Sequence, residues 1–284
     1  MVDLSGPVGA DIAQQIVCSA ENSSLDWRAQ YGYIEDIGDG RGFTGGLIGF
    51  CSGTGDMLEV VERCAADSRG SALARFVPAL RRVDGSDSHD GLGRAFEAAW
   101  RQAADDPAFR RAQHAVLDEQ YRWPAVEQAR ADGLRGLGQL VYYDALVMHG
   151  PGEDEESFGG IRRAAVTTSR PPAQGGDERY YLSAFLDARR RVMHMEEAHA
   201  DTSRLDTAQQ WWLDAGNLDL DLPLHWQVYG DDYAITSPPP GIDPGPSQRR
   251  HPDRDSEDGA HDLLGGPGSL VTHAAETIRR WTGR

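Results

Sequence analysis

Two acidic residues stand where a pair of carboxyls can work together. Glu21 closes a stretch in which Ile12, Ile16, Val17 and Ala20 share one helical face. Asp39 lies in the run Gly38-Asp39-Gly40-Arg41-Gly42, which reads as a turn. A rigid helix end and a glycine-built turn can present two carboxyls across a groove, the arrangement that glycoside hydrolysis requires. One carboxyl keeps its proton for the leaving oxygen, and the other stays ionised. Residue type does not single out this pair, because the chain holds 45 acidic residues and most such side chains are simply solvated.

Other chemistries have less support. In His194-Met195-Glu196-Glu197-Ala198-His199 the histidines are five apart, about 140° around a helix, whereas helical zinc motifs place them four apart on one face. No metal and no cofactor is expected. The glycine-rich runs 38–42 and 53–55 lack the GxGxxG pattern and a βαβ context, and Ser52 sits in Cys-Ser-Gly rather than a GxSxG elbow. Trp27, Trp100, Trp123, Trp211, Trp212 and Trp226 suit either a sugar groove or a core.

The elements that would hold these groups are mostly helical. The glycine density from 38 to 55 forbids a long helix and favours turns and short strands. Thr54 is expected to cap a helix carrying Met57, Leu58 and Val61. A long, largely buried helix is expected over 124–150, with Gly133, Gly136 and Gly138 marking close packing or a bend. Further helices are expected at 157–169, 178–195 and 207–215.

Composition narrows the partners. The net charge is −17 and all 28 basic residues are arginine. Nucleic acid is therefore not expected as a partner, while a cationic substrate is electrostatically welcome, with solubility alone as the plainer reading of the charge. No apolar run is long enough to span a bilayer, so no membrane association is expected. The N-terminus lacks the basic and apolar regions of a signal peptide, so two expectations stand: one was removed from a secreted protein, or the protein stays inside the cell. Cys18, Cys51 and Cys64 form no disulfide framework; one bridge remains open, with three buried thiols as the default. Three parts are expected: a catalytic domain at 1–237, a Pro/Gly-rich linker at 238–268, and a short helix or disordered tail at 269–284. Six of the residues in 238–252 are proline. The tail's charges nearly balance, so the acidity belongs to the body.

The run SAENSSLDW (19–27) resembles the catalytic-acid motif of family 46 chitosanases, and YIEDIGDGRGFTGG (33–46) resembles their catalytic-base motif. IGFCSGTGDMLE (48–59), YYDALVMHGPG (142–152), GGD (175–177), DTSR (201–204) and AGNLD (215–219) continue the match in the family's order. The segment 109–123 matches poorly, and the residues after Ser237 have no counterpart. The resemblance implies an α+β, predominantly helical, lysozyme-like fold, with two lobes around a cleft bridged by a long bent helix. It implies a secreted, inverting endo-chitosanase, expected to be a monomer, acting on chitosan or glucosamine oligosaccharides. Glu21 falls on the general acid, Asp39 on the general base and Thr44 on the residue that helps hold the attacking water. The two carboxyls would then lie ~6.5–9.5 Å apart.

The resemblance also places Asp144, Arg189 and Arg204 in a charge network behind Glu21. A cation beside an acid lowers its pKa, so Asp144 between two arginines is expected to offset that field. Ser23, Tyr33, Arg41, Thr54, Asp56, His199 and Asp231 fall on sugar-binding positions, and Glu196 on a further acidic cleft residue. Asp56, Glu196 and Asp231 are of the type that accepts charge-assisted hydrogen bonds from a glucosamine ammonium. Two alternatives are a hydrolase of another β-1,4 amino-sugar polymer, such as peptidoglycan or mixed chitin, and a non-catalytic glucosamine-binding protein.

Overall fold

The structure, a computed structural model, describes residues 2–38, 40–195 and 201–238. Helix α1 (Pro7–Asn22) starts with proline at its first position and buries Ile12, Ala13, Ile16, Val17 and Ala20 on one stripe. It ends at Ser23, whose φ of 49° turns the chain out of the helix. After a 3₁₀ turn (Trp27–Gly32) comes an antiparallel sheet of β1 (Ile34–Asp36), β2 (Phe43–Gly45) and β3 (Phe50–Cys51), in sequence order. The glycines make this possible. Gly46, at φ 79°, leaves β2 so close to Gln113 that a Cβ would stand 2.6 Å from its side-chain oxygen.

Helices α2 (Asp56–Asp67), α3 (Val77–Val83), α4 (Arg94–Ala103) and α5 (Pro107–Leu117) pack with this sheet as one group. The second group holds α8 (Phe158–Thr168), α9 (Glu178–Met195), α10 (Gln210–Asp214) and the hairpin of β4 (Leu224–Val228) and β5 (Asp231–Ile235). Leu224, Trp226 and Val228 alternate inward along β4, and Tyr229-Gly230, both at positive φ, close the hairpin. Between the groups lie α6 (Trp123–Ala131) and α7 (Gly136–His149). Every residue of α7 is buried, and α1 packs against it.

The helix expected over 124–150 is two helices. Gly133, at φ 79°, ends α6, and Gly136 starts α7 where a Cβ would lie 2.4 Å from the Val2 carbonyl oxygen. The corner is held by Asp132, which accepts from Tyr142 Oη (2.7 Å) and from Arg162 (2.8 and 2.6 Å). The long bent helical run instead spans α5, a π turn (Asp118–Arg122) and α6, upstream of where apolar periodicity places it. Thr54 does not cap α2: Gly55 precedes the helix, and the Thr54 hydroxyl donates to Asp56 Oδ1 (2.8 Å). The segment expected as a helix from 207 starts with a second π turn (Leu205–Gln209) that leads into α10.

Four of the six tryptophans considered for a sugar groove are core residues: Trp27, Trp100, Trp212 and Trp226 are buried, Trp123 is half-buried and Trp211 is exposed. Cys18, Cys51 and Cys64 are buried free thiols, so the bridge left open does not form. Among the described residues no helix is long and apolar enough to cross a membrane. The linker and tail expectations fall, apart from Pro238, outside the described residues.

Candidate active site

Glu21 occupies the last turn of α1. Two residues earlier, the buried Ser19 hydroxyl donates to the Ile16 carbonyl (2.6 Å) and accepts from Trp226 Nε1 (3.0 Å), which pins this turn to β4. The Glu21 side chain is 14% exposed, and its Oε1 lies 2.9 Å from Arg204 Nη1. Against burial, which raises the Glu21 pKa, Arg204 pulls it down by its charge and by hydrogen bonding.

Behind it, Asp144 of α7 binds with both oxygens. Oδ1 accepts from Arg204 Nη2 (2.6 Å), and Oδ2 accepts from Arg189 Nη1 (2.8 Å) and Gln209 Nε2 (2.7 Å). Arg189 of α9 also donates from Nε to His149 Nε2 (3.3 Å) and from Nη1 to Gln209 Oε1 (3.3 Å). Asp144, Arg189, Arg204, His149 and Gln209 are all buried.

The electrostatics divide the two acids. Burial would raise the Asp144 pKa, but Arg204 and Arg189 outweigh it, so this carboxyl lies well below its ordinary value and stays ionised. Glu21 goes the other way. Burial raises its pKa most. Asp144 pairs with Arg204 at 2.6 Å, and its negative charge adds to the rise at Glu21 that Arg204 opposes. Tyr229, at the hairpin turn, is pushed up by burial against the opposing pull of Arg204. The nearby Cys18 thiol is pushed up to about 12 by burial and by Glu21, which leaves it protonated and unreactive.

A second cluster sits on the sheet. Thr44 is buried on β2 and its hydroxyl lies 3.7 Å from Cys51 Sγ. Asp56, the first residue of α2, accepts at Oδ1 from Cys51 N (2.8 Å), Thr54 Oγ1 (2.8 Å) and Met57 N (2.9 Å). Burial outweighs these donors and raises its pKa to about 6. Tyr33 donates to Glu35 Oε1 (2.8 Å), and Arg41 is buried. Ser23 and Asp231 converge on Tyr233, the first by a hydrogen bond and the second by its charge. Asp39, Glu196 and His199 lie outside the described residues.

The structure thus gathers Glu21, Asp144, Arg189 and Arg204 into one network, Thr44, Thr54 and Asp56 into another, and Ser23 with Asp231 around Tyr233. Sequence reasoning missed Gln209, His149 and Tyr229. His149 sits in the block 142–152 but was given no role, and Gln209 and Tyr229 lie outside every block, although Gln209 follows Arg204 by a spacing that becomes informative once a π turn is known.

A half-sheltered carboxyl whose pKa burial raises, backed by an arginine that a buried carboxylate shares, suits a general acid. The family model for glycosyl hydrolase family 46 matches residues 15–224. A chitosanase of a Streptomyces strain is 60% identical over 234 residues, covering 82% of this chain and 84% of that protein. A chitosanase of a Nocardioides strain is 58% identical over 236 residues, covering 83% and 84%. Among solved structures, a chitosanase complex is 58% identical with a TM-score of 0.79, covering 83% of this chain and all of that one. A Gynuella sunshinyii family 46 chitosanase complexed with chitotetraose is 33% identical with a TM-score of 0.74, covering 81% and 98%. This chain belongs to glycosyl hydrolase family 46 and is a glycoside hydrolase with the family's predominantly helical α+β fold.

Proposed function

We propose that the protein hydrolyses internal β-1,4 linkages of chitosan with inversion at the anomeric carbon. Glu21 gives its proton to the glycosidic oxygen. Asp39 takes a proton from the water that attacks the opposite face of the sugar, and Thr44 helps hold that water. One proton enters the leaving group and one leaves the water, so Glu21 ends ionised and Asp39 protonated, and exchange with solvent resets both. The observation that carries this reading is the half-sheltered Glu21 carboxyl, 2.9 Å from an Arg204 that Asp144 shares at 2.6 Å, with burial raising the Glu21 pKa and the arginines lowering that of Asp144.

A glucosamine chain suits the acidic body. Asp56, Glu196 and Asp231 are proposed to accept from substrate ammonium groups, with Ser23, Tyr33, Arg41, Thr54 and His199 completing the sugar contacts. The chitosanase names of the relatives support that substrate, as does the chitotetraose in the Gynuella structure. An acetylated sugar offers an uncharged amide instead, which disfavours chitin. A polymer of this kind is met outside the cell, so extracellular action is part of the proposal. All proposed residues come from one chain, so a monomer suffices.

The test is proton NMR of the first product from a glucosamine hexamer. Release of the α-anomer by the wild type, with turnover lost and hexamer binding kept in Glu21→Gln, is the expected result. Release of the β-anomer, or an active Glu21→Gln enzyme, would remove this reading.

A further inference from the structure

Gln209 has no place in the residues assigned so far, yet it touches both sides of the charge network. Its amide nitrogen donates to Asp144 Oδ2 at 2.7 Å, and its amide oxygen accepts from Arg189 Nη1 at 3.3 Å. The side chain is 1% exposed, so its polar atoms are there for these partners and not for water. The backbone is shaped for the contact. Arg204 and Gln209 are five residues apart, which an α-helix would set about 140° from each other. The π turn Leu205–Gln209 closes one helical turn in about five residues and brings both side chains onto the same carboxylate.

On the reading of Glu21 as general acid, we propose that Gln209 is a positioning residue: its amide clamps Asp144 between Arg204 and Arg189, so that Arg204 stays shared between Asp144 and Glu21. Without the donor, Asp144 Oδ2 keeps Arg189 alone and the carboxylate tilts toward it. Arg204 is then released from Asp144 and pairs fully with Glu21. The charged and titratable groups around Glu21 are Arg204 ahead of the π turn, Asp144 and Tyr143 on α7, Arg189 on α9, Tyr229 at the hairpin turn and Cys18 on α1 itself. Of these, Arg204 alone both touches Glu21 and depends on Asp144 for its position.

The experiment compares wild type, Gln209→Met, Gln209→Glu and Glu21→Gln on a glucosamine hexamer across pH, with thermal unfolding to correct for folded fraction. Methionine keeps the length of the side chain and removes the donor. Gln209→Met should lower kcat about tenfold, part of what a general acid contributes, with KM little changed. The alkaline limb of its kcat/KM profile should move to lower pH, because Glu21 loses its proton more easily. Gln209→Glu should recover kcat toward the acid end of the profile, where the new carboxyl is protonated and donates again. A folded Gln209→Met enzyme with wild-type kcat and an unshifted limb, while Glu21→Gln is inactive, overturns the role of Gln209 alone. An active Glu21→Gln enzyme overturns the reading beneath it instead.

Discussion

Two π turns among the described residues, one ending on a buried arginine and the other directly following one, serve different ends. In the first, Asp118–Arg122, the pair is local and balanced: one carboxylate and one guanidinium, 2.6 Å apart and both buried. The pair is four residues apart and meets within its own turn, and Arg122 uses a further donor on the Leu4 carbonyl (2.6 Å), which fastens the N-terminal segment. In the second, Leu205–Gln209, Arg204 and Gln209 reach out to Asp144 on α7, where Arg189 from α9 also arrives. Here two cations share one buried anion, and the surplus faces Glu21. The pKa directions follow the count. One arginine does not offset the burial of Asp118, whose pKa is raised, whereas two arginines overcome it at Asp144, whose pKa is lowered. A balanced pair holds chain segments together; an unbalanced one sets the protonation of a neighbour.

The strongest way to break this contrast is Asp144→Asn. Removing the shared anion leaves Arg189 and Arg204 buried with Glu21 as the remaining carboxylate of the network. Glu21 then becomes their counterion and ionises, which spends the proton that catalysis needs. We expect kcat to fall at least about 100-fold, the lower range of a general acid's contribution, and the alkaline limb of the pH profile to move down. Unpairing buried charges costs roughly 3–5 kcal/mol, and ionisation of Glu21 returns part of it. A folded variant with wild-type turnover would end the comparison.

Asp118→Asn sharpens it from the other side. Arg122 loses its carboxylate and keeps the Leu4 carbonyl, so urea unfolding should show a loss of about 3 kcal/mol. Turnover per folded molecule and the shape of the pH profile should stay as in wild type, since neither Asp118 nor Arg122 is among the charges that set Glu21. A shifted alkaline limb in this variant would show that the two networks are coupled.

The sequence exposed one half of this contrast and hid the other. Glu21, Asp144 and Arg204 were legible because they sit in motif blocks, Arg189 was placed by the family resemblance outside any block, and their opposed charges posed a problem that only mutual contact solves. Helix α9 was legible to its ends from its apolar spacing, and the glycine run 38–55 announced short strands. The π turns were not legible. Neither holds a proline or glycine of its own, and Pro124, just past the first, reads from sequence as a helix start rather than as part of a bent helical run. The break at 132–135 was only half legible: Gly133 signals a bend, but the stop comes from Asp132 binding Tyr142 and Arg162, a tertiary contact. Gln209 was invisible because its partners are distant in sequence, at 144 and 189.

Asp56 extends the series to a buried carboxylate held by two backbone N–H groups and a hydroxyl, without the arginine contacts that Asp118 and Asp144 have. Its pKa rises from 3.8 to about 6, so between those values the folded state holds a proton that the unfolded state has lost. The sign follows from linkage. A raised carboxyl favours folding at low pH, and that contribution is lost as pH climbs from about 4 to about 6, by up to ~3 kcal/mol. Asp144 has the opposite sign and acts below about pH 4, because its depressed pKa makes folding weaken on acidification there. Asp56→Asn keeps the Oδ1 acceptor and removes the titration. Stability measured by urea unfolding at pH 4, 5, 6 and 7 should therefore decline less with rising pH in Asp56→Asn than in wild type. Glu21 titrates upward in both proteins, so the difference between the two slopes isolates Asp56. Parallel slopes would mean that the three neutral donors already match burial at this site, and that cation count is not what separates these buried carboxylates.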